Sequence, residues 1–122
     1  MPPPAGEPWF EIQQVGEVTV VRFTRALARF LEEETIKQIA ERLFSLIGEE
    51  GRRFLVLNLA NIERLDSLML GKLVSLHKRT LTAGGRLALC KLRPELYEVF
   101  QTLGLTGFLW VYGEEHDALQ SF

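Results

Sequence analysis

Two segments near the start of the chain alternate apolar and polar side chains, which is the pattern of half-buried strands. They span residues 9–15 and 17–24, and Gly16 with Glu17 between them predicts a hairpin turn. Three later runs are short and almost continuously apolar, namely residues 54–59, 86–90 and 108–112. Runs of this kind are typical of strands that are covered on both faces of a sheet.

The segments between these runs carry apolar residues at steps of three and four, the period of a helix with one apolar face. A first helix opens at the acidic residues 32–34 and ends near Gly48. Its predicted buried positions are Ile36, Ile39, Ala40, Leu43, Phe44 and Ile47.

The same period predicts three further helices, and glycine and proline residues mark where some of them begin or end. The second covers residues 67–83 and ends at Gly84-Gly85. Its predicted apolar face consists of Leu70, Leu73, Val74, His77 and Leu81. The third begins at Pro94, and a short fourth covers residues 114–119. The predicted apolar face of the third consists of Leu96, Val99, Phe100 and Leu103.

The predicted order of elements is β-β-α-β-α-β-α-β-α. Strands joined by helices pair in parallel, so we predict an α/β fold with a mixed sheet of four to five strands, parallel later strands and about four helices. The length of 122 residues suits one domain. We expect that domain over residues 9–122, after a proline-rich, flexible tail over residues 1–8.

Composition argues against several classes of function. Fourteen basic and sixteen acidic residues give a net charge of −2 without a basic block, so nucleic-acid binding is not expected. No apolar stretch reaches the roughly 18 residues of a membrane helix, and the N-terminus lacks the pattern of a signal peptide. The single cysteine, Cys90, lies in an apolar run and is interpreted as a buried residue. These features predict a cytoplasmic protein without membrane insertion.

Catalytic motifs are not apparent either. The chain has no glycine-rich phosphate loop and only two histidines. His77 falls on a predicted apolar helix face, and His116 falls in an acidic segment. We therefore expect a protein that is not an enzyme and that has no cofactor and no metal site.

The most informative segment surrounds Asp66 and Ser67 at the start of the second predicted helix. One interpretation is structural, because either side chain can cap the helix by accepting hydrogen bonds from free N–H groups. The other is regulatory, because a phosphate on Ser67 would lie beside those N–H groups and the positive end of the helix dipole. Leu68 and Met69 are predicted to lie exposed in the first turn and to form part of a partner surface.

The order and spacing of several motifs resemble those of STAS domains, the family of anti-sigma factor antagonists. The resemblance covers about residues 11–120. It rests on the apolar strand 55–59, a six-residue loop, Asp66-Ser67 with Gly71, Gly84-Gly85 before strand 86–90, Pro94, and Val99-Phe100 with Gly104-Leu105. The family's fold matches the predicted order of elements.

The resemblance implies a function. Typical antagonists bind a serine kinase that is also an anti-sigma factor, and phosphorylation of a serine in the position of Ser67 breaks the complex. Carried over, Ser67 is the phosphorylation site. The partner-binding residues are Asp66, Leu68, Met69, Lys72, Arg25 and Arg29. The two arginines stand where the family usually has an acidic residue, and their charge favours a phosphate or an acidic partner.

Other readings stay open at this point. The chain can be a STAS scaffold without phosphorylation, in a signalling complex or with a transport ATPase. A third class is a sensor of small ligands such as nucleotides or lipids. Trp9, Phe30 and Trp110 either form the contact surface of a weak homodimer or complete the core.

Overall fold

A computed structural model of the chain describes residues 9–24 and 32–122. The predicted tail over residues 1–8 and the loop residues Arg25, Arg29 and Phe30 lie outside the described residues. The predictions made for these residues therefore stay predictions.

Five strands form a single mixed sheet, and their order across the sheet is their order along the chain. They are β1 (Phe10–Val15), β2 (Val18–Phe23), β3 (Phe54–Asn58), β4 (Arg86–Cys90) and β5 (Trp110–Tyr112). β1 and β2 form an antiparallel hairpin, and each strand from β2 to β5 is parallel to its neighbour. This arrangement confirms the predicted mixed sheet with parallel later strands, at the upper end of the predicted strand number.

Four α-helices lie in the described part of the chain, as predicted. They are α1 (Glu33–Gly48), α2 (Ser67–Thr82), α3 (Pro94–Thr102) and α4 (Glu115–Gln120). A 3-10 turn over Leu105–Gly107 precedes β5, so the last strand begins at Trp110 rather than at residue 108. Within residues 9–24 and 32–122, the helices are too short or too polar to cross a membrane.

The two faces of the sheet are covered unequally. The front face packs against α1, α2 and α3 in the larger core cluster, which includes Leu55, Leu57, Leu87, Leu89, Ile39, Leu73 and Phe100. The back face packs against α4 through Ala118 in a smaller cluster, with Val18, Val20, Val56, Ala88 and Cys90. Helices cover β3 and β4 on both faces, which explains why these two strands are almost entirely apolar.

The side of helix α2 that faces the core agrees only in part with the predicted one. Its buried residues are Met69, Leu73, Leu76, His77 and Thr80, of which Leu73 and His77 were predicted. Leu70 is half-buried and packs against the larger core cluster, Val74 is half-buried, and Leu81 is exposed, so the predicted face was wrong at Leu81. The physical reason is that apolar residues occupy more than half of this helix's circumference, so contacts with the sheet rather than periodicity select the buried side.

The other helices differ less from the predictions. In α1 the buried residues are Ile36, Ile39, Ala40, Leu43, Leu46 and Ile47, and the predicted Phe44 is half-buried. In α3, Leu96 and Phe100 are buried, whereas Val99 and Leu103 are exposed. The nine-residue helix α3 therefore contacts the core along a narrower stripe than predicted.

Candidate functional site

Three hydrogen bonds that involve side chains help to hold the loop from β3 to α2 in place at the C-terminal edge of the parallel strands. The Asn58 side chain accepts from the N–H of Ala60 at 3.0 Å, and the Asn61 amide donates to the carbonyl of Phe23 at 3.0 Å. Arg93 Nε, from the next loop along the sheet, donates to the carbonyl of Ala60 at 3.0 Å. These contacts with β2 and with the loop after β4 fix where helix α2 begins.

Asp66 caps helix α2. Its backbone is extended, and its Oδ1 accepts from the N–H of Met69 at 2.8 Å. Ser67 is the first residue of the helix, and its side chain is exposed. Of the two side chains that were candidates for the cap, Asp66 therefore has that role. The Ser67 hydroxyl is left available to solvent and to a partner.

The electrostatics of α2 favour an anion at its start. The sequence of the helix contains three cations, Lys72, Lys78 and Arg79, and no aspartate or glutamate. Its first N–H groups point towards Ser67, and the positive end of the helix dipole lies there. A phosphate on Ser67 would therefore meet favourable backbone charge, with the capping carboxylate of Asp66 as its acidic neighbour in sequence.

The predicted exposure of Met69 was wrong. Met69 is 1% exposed and belongs to the front core cluster, because it lies on the same side of α2 as Leu73. Leu68 is half-buried and packs partly against that cluster. The N-terminal turn therefore offers a partner Asp66, Ser67 and one side of Leu68, rather than two freely exposed apolar side chains.

An exposed ridge extends from Ser67 along α2. Gly71 and Ser75 follow Ser67 at steps of four, and all three are exposed. A Cβ atom built on Gly71 meets no heavy atom within 4 Å, so the fold itself does not demand a glycine there. The sequence analysis missed this ridge, although the four-residue spacing of small residues after Ser67 was a readable signal.

A second polar group at this edge of the sheet joins α4 to the strands. Arg22 donates to both carboxylate oxygens of Glu115, at 3.0 and 2.6 Å, and the Asn58 amide donates to Glu115 at 2.7 Å. The hydrogen bond from Arg22 lowers the pKa of Glu115 below its ordinary value. Asn58 thus contacts both α4 and the loop that leads to Ser67.

The groups that are most often used in catalysis are shielded. Cys90 is buried, and burial raises the pKa of its thiol to about 12, so little thiolate forms near neutral pH. His77 is 2% exposed, and burial lowers its pKa.

Comparison with known proteins gives consistent matches. The model of the STAS domain family matches residues 10–118. An anti-sigma F factor antagonist from Paenibacillus polymyxa is 26% identical over 109 residues, which are 89% of this chain and 90% of the relative.

Solved structures match over a similar extent. A protein from Thermotoga maritima, proposed to be an anti-sigma factor antagonist, superimposes with a TM-score of 0.81 at 21% identity over 92% of both chains. The phosphorylated form of the Bacillus cell fate determinant SpoIIAA gives a TM-score of 0.68 at 22% identity, over 92% of this chain and 97% of that chain. At these identities the two structures establish the fold.

Proposed function

The chain belongs to the STAS domain family, and we propose that it is an anti-sigma factor antagonist that binds a serine-kinase anti-sigma factor. Phosphorylation of Ser67 ends that binding. The observation that carries the proposal is the exposed Ser67 at the first position of α2, directly after a cap that Asp66 alone provides.

The unmodified surface suits protein recognition. Ser67 and Gly71 form an open ridge, Leu68 adds a half-buried apolar side chain, and Lys72 adds a half-buried cation. A partner can approach the backbone closely at Gly71 because no side chain intervenes. Asp66 lies beside this surface, and Arg25 and Arg29 remain proposed contacts outside the described residues.

The modified surface is chemically different while the fold is unchanged. A phosphate adds about two negative charges, which are stabilised at a helix N-terminus by free N–H groups. The same charge weakens the binding of a partner that fits the neutral serine, because it repels acidic groups and because the phosphate must lose its hydration on binding. The SpoIIAA protein of similar fold has been solved in a phosphorylated and an unphosphorylated form, which supports the same pair of states here.

This function places the chain in the cytoplasm and requires binding rather than catalysis. The kinase partner supplies the phosphoryl transfer, so the chain needs only an accessible hydroxyl on a rigid frame. The hydrogen bonds that Asn61 and Arg93 make to neighbouring loops provide that frame.

A quantitative pull-down from a lysate of the source organism tests the proposal. The baits are the wild-type chain, Ser67→Ala, Ser67→Asp and Ser75→Asp. Ser75 is the matched control, because it is an exposed serine two turns along the same ridge. We expect wild type, Ser67→Ala and Ser75→Asp to retain a kinase of the ATPase fold that Ser67→Asp loses by about tenfold or more.

Phosphopeptide mass spectrometry on the recovered chain then locates the modified residue. Modification at Ser67 supports the proposal. Retention of the same partners by all four baits, without phosphate on Ser67, contradicts it. That result supports a second candidate, a constitutive STAS scaffold, which the half-buried Leu68 favours because this bulky side chain narrows access to the Ser67 hydroxyl.

A further inference from the structure

A cluster of aromatic rings around one arginine lies at the N-terminal edge of the parallel strands. This aromatic cluster consists of Phe54, His77, Arg86, Phe108, Trp110 and Phe122. The Arg86 guanidinium carbon lies 4.8 Å from the ring centroid of Trp110 and 4.3 Å from that of Phe122. The guanidinium is therefore stacked against two rings that come from distant parts of the chain.

The aromatic cluster continues on both sides of Arg86. The Phe122 ring contacts the Phe54 ring edge to face, with centroids 5.9 Å apart. On the other side, the buried His77 ring contacts Trp110 at 5.7 Å and Phe108 at 4.8 Å. The contacts join α2, β3, β4, β5 and the C-terminal residues into one surface.

Three rings of the aromatic cluster are exposed to a degree that the fold does not require. Phe108 is 45% exposed, Trp110 40% and Phe122 39%. Exposed apolar side chains that lie together mark interaction sites more often than isolated ones. Tryptophan and arginine at the centre of such a patch are also the residues that contribute most to binding energy at protein interfaces.

The charge of Arg86 is not matched by a carboxylate in the described part of the chain. Its Nη2 donates to the carbonyl and the hydroxyl of Ser121 at 2.5 and 2.7 Å, which are neutral acceptors. By contrast, Arg22 pairs with Glu115 and Arg52 pairs with Glu50. Within residues 9–24 and 32–122, Arg86 therefore makes hydrogen bonds to neutral acceptors and no ion pair, and the carboxylate that shares its cavity belongs to Glu17.

The surface beside Arg86 is concave. A cavity of about 420 Å³ lies there, with apolar walls from Val18, Phe54, Leu119 and Phe122. Its charged lining residues are Glu17 and Arg86. This volume accommodates one or two large apolar side chains of a partner next to the guanidinium.

The aromatic cluster is distant from Ser67. Phe54, Arg86 and Trp110 are the first residues of their strands, whereas Ser67 follows the opposite, C-terminal edge. His77 comes ten residues after Ser67 in the same helix, a distance of about 15 Å along its axis. The aromatic cluster and the surface around Ser67 therefore lie at opposite edges of the parallel strands and have no residue in common.

We propose that the aromatic cluster is a second docking surface, which binds a short segment of another protein that carries a carboxylate next to apolar side chains. The carboxylate pairs with Arg86, and the apolar side chains cover Trp110 and enter the cavity beside Phe122. Charge complementarity selects this occupant, because the cluster offers a stacked cation that forms no ion pair with any described residue. Binding there is independent of the state of Ser67, so the surface would hold the chain in an assembly while Ser67 switches.

Selection from a phage-displayed library of random peptides on the immobilised wild-type chain tests this proposal. The selected peptides are synthesised and titrated into the isotope-labelled chain. The chain has only two tryptophans, so the indole N–H signals of Trp110 and Trp9 report separately on the aromatic cluster and on the opposite edge of the sheet, where Trp9 precedes β1. We expect enriched peptides with an Asp or Glu close to apolar residues, and a shift of the Trp110 signal but not of the Trp9 signal.

Variants of single charged residues then show which charges contribute to peptide binding. Arg86→Gln is expected to weaken peptide binding by about tenfold or more, because the partner carboxylate loses its cation. Glu17→Gln is expected to strengthen it, since one carboxylate is removed from the cavity wall. Arg52→Gln, which removes an arginine that is already paired with Glu50, is the matched control and should have no effect. Ser67→Asp should also leave the affinity unchanged.

Several outcomes overturn the proposal. They are a library without enriched sequences, peptides that lack an acidic residue, and shifts at Trp9 rather than Trp110. Sedimentation that shows a dimer of the wild-type chain, lost in Arg86→Gln, assigns the surface to a second copy instead. The indole signals locate the bound peptide on the wild-type chain, so the proposal is tested even if a variant is unstable. Failure of the Ser67 switch leaves this result unaffected.

Discussion

The two ends of helix α2 are held by different kinds of contact. At the N-terminal end, one hydrogen bond from the N–H of Met69 to the Asp66 carboxylate defines the start, and Ser67 and Gly71 are open to solvent. At the C-terminal end, Gly85 lies directly over the backbone of Arg53, the residue before β3, and the His77 ring contacts the rings of Phe108 and Trp110. Polar capping thus holds the first end, and close packing holds the second.

This difference supports the different tasks that we propose for the two ends. The open end can change its charge without disturbing the core, because few apolar contacts depend on Ser67. The packed end cannot change without moving β3, β4 and β5 relative to α2. A site of modification at Ser67 and a constant surface at the aromatic cluster are consistent with this division.

The largest effect on the free energy of unfolding is expected from a side chain added at the packed end, at Gly85. A Cβ atom on Gly85 would lie 1.9 Å from the carbonyl oxygen of Arg53, which also accepts from the N–H of Arg86 at 2.9 Å. Gly85→Ala should therefore lower the free energy of unfolding by about 3 kcal/mol, measured by urea denaturation.

The matched control is Gly71→Ala at the open end. No atom lies within 4 Å of the added methyl group, and alanine favours helix formation, so a gain of about 0.5 kcal/mol is expected. If both alanines change stability equally, the packed and open ends do not differ in the way described.

A smaller effect is expected from removing the cap at the open end. Asp66→Ala removes the acceptor for the N–H of Met69 and should cost about 1 kcal/mol in the free energy of unfolding. Asp66→Asn should retain most of that stability, because asparagine also caps helices. Ser67→Ala should change it by less than about 0.5 kcal/mol. A larger loss in Ser67→Ala than in Asp66→Ala would reverse the assignment of the cap.

The smallest effect is expected in the pH dependence of stability, to which His77 contributes at the packed end. Burial lowers the pKa of His77 below 6.5 in the folded chain, so the unfolded chain binds a proton more readily. The contribution of His77 to stability is therefore complete above pH 6.5 and is lost as the pH falls through the lowered pKa.

Thermal unfolding at a series of pH values from 7.5 to about 5 measures this dependence. His77→Leu should flatten the curve in this range, whereas substitution of the exposed His116 by Gln should leave it as in wild type. A curve for His77→Leu parallel to that of wild type would exclude His77 as the source.

Much of the fold follows from local sequence signals. The period-two and continuous apolar runs located all five strands, and Pro94 marked the start of α3. Gly84 has a φ of +84°, which is why the Gly84-Gly85 pair ends α2 where the sequence predicted. Asp66 and Ser67 were placed at a helix start for a similar reason, since capping depends on a few adjacent residues.

Tertiary structure was needed to show which residues form the surface around Ser67 and which form the aromatic cluster. Helix α2 carries apolar residues on most of its circumference, so its sequence alone did not show that Met69 is buried and Leu81 exposed. Likewise, Arg86 meets Ser121 across 35 residues and Arg22 meets Glu115 across 93. The sequence by itself determined the order of elements and the position of Ser67, because those depend on local periods and caps. Only packing in three dimensions determined which side of α2 faces solvent and which distant residues surround Arg86.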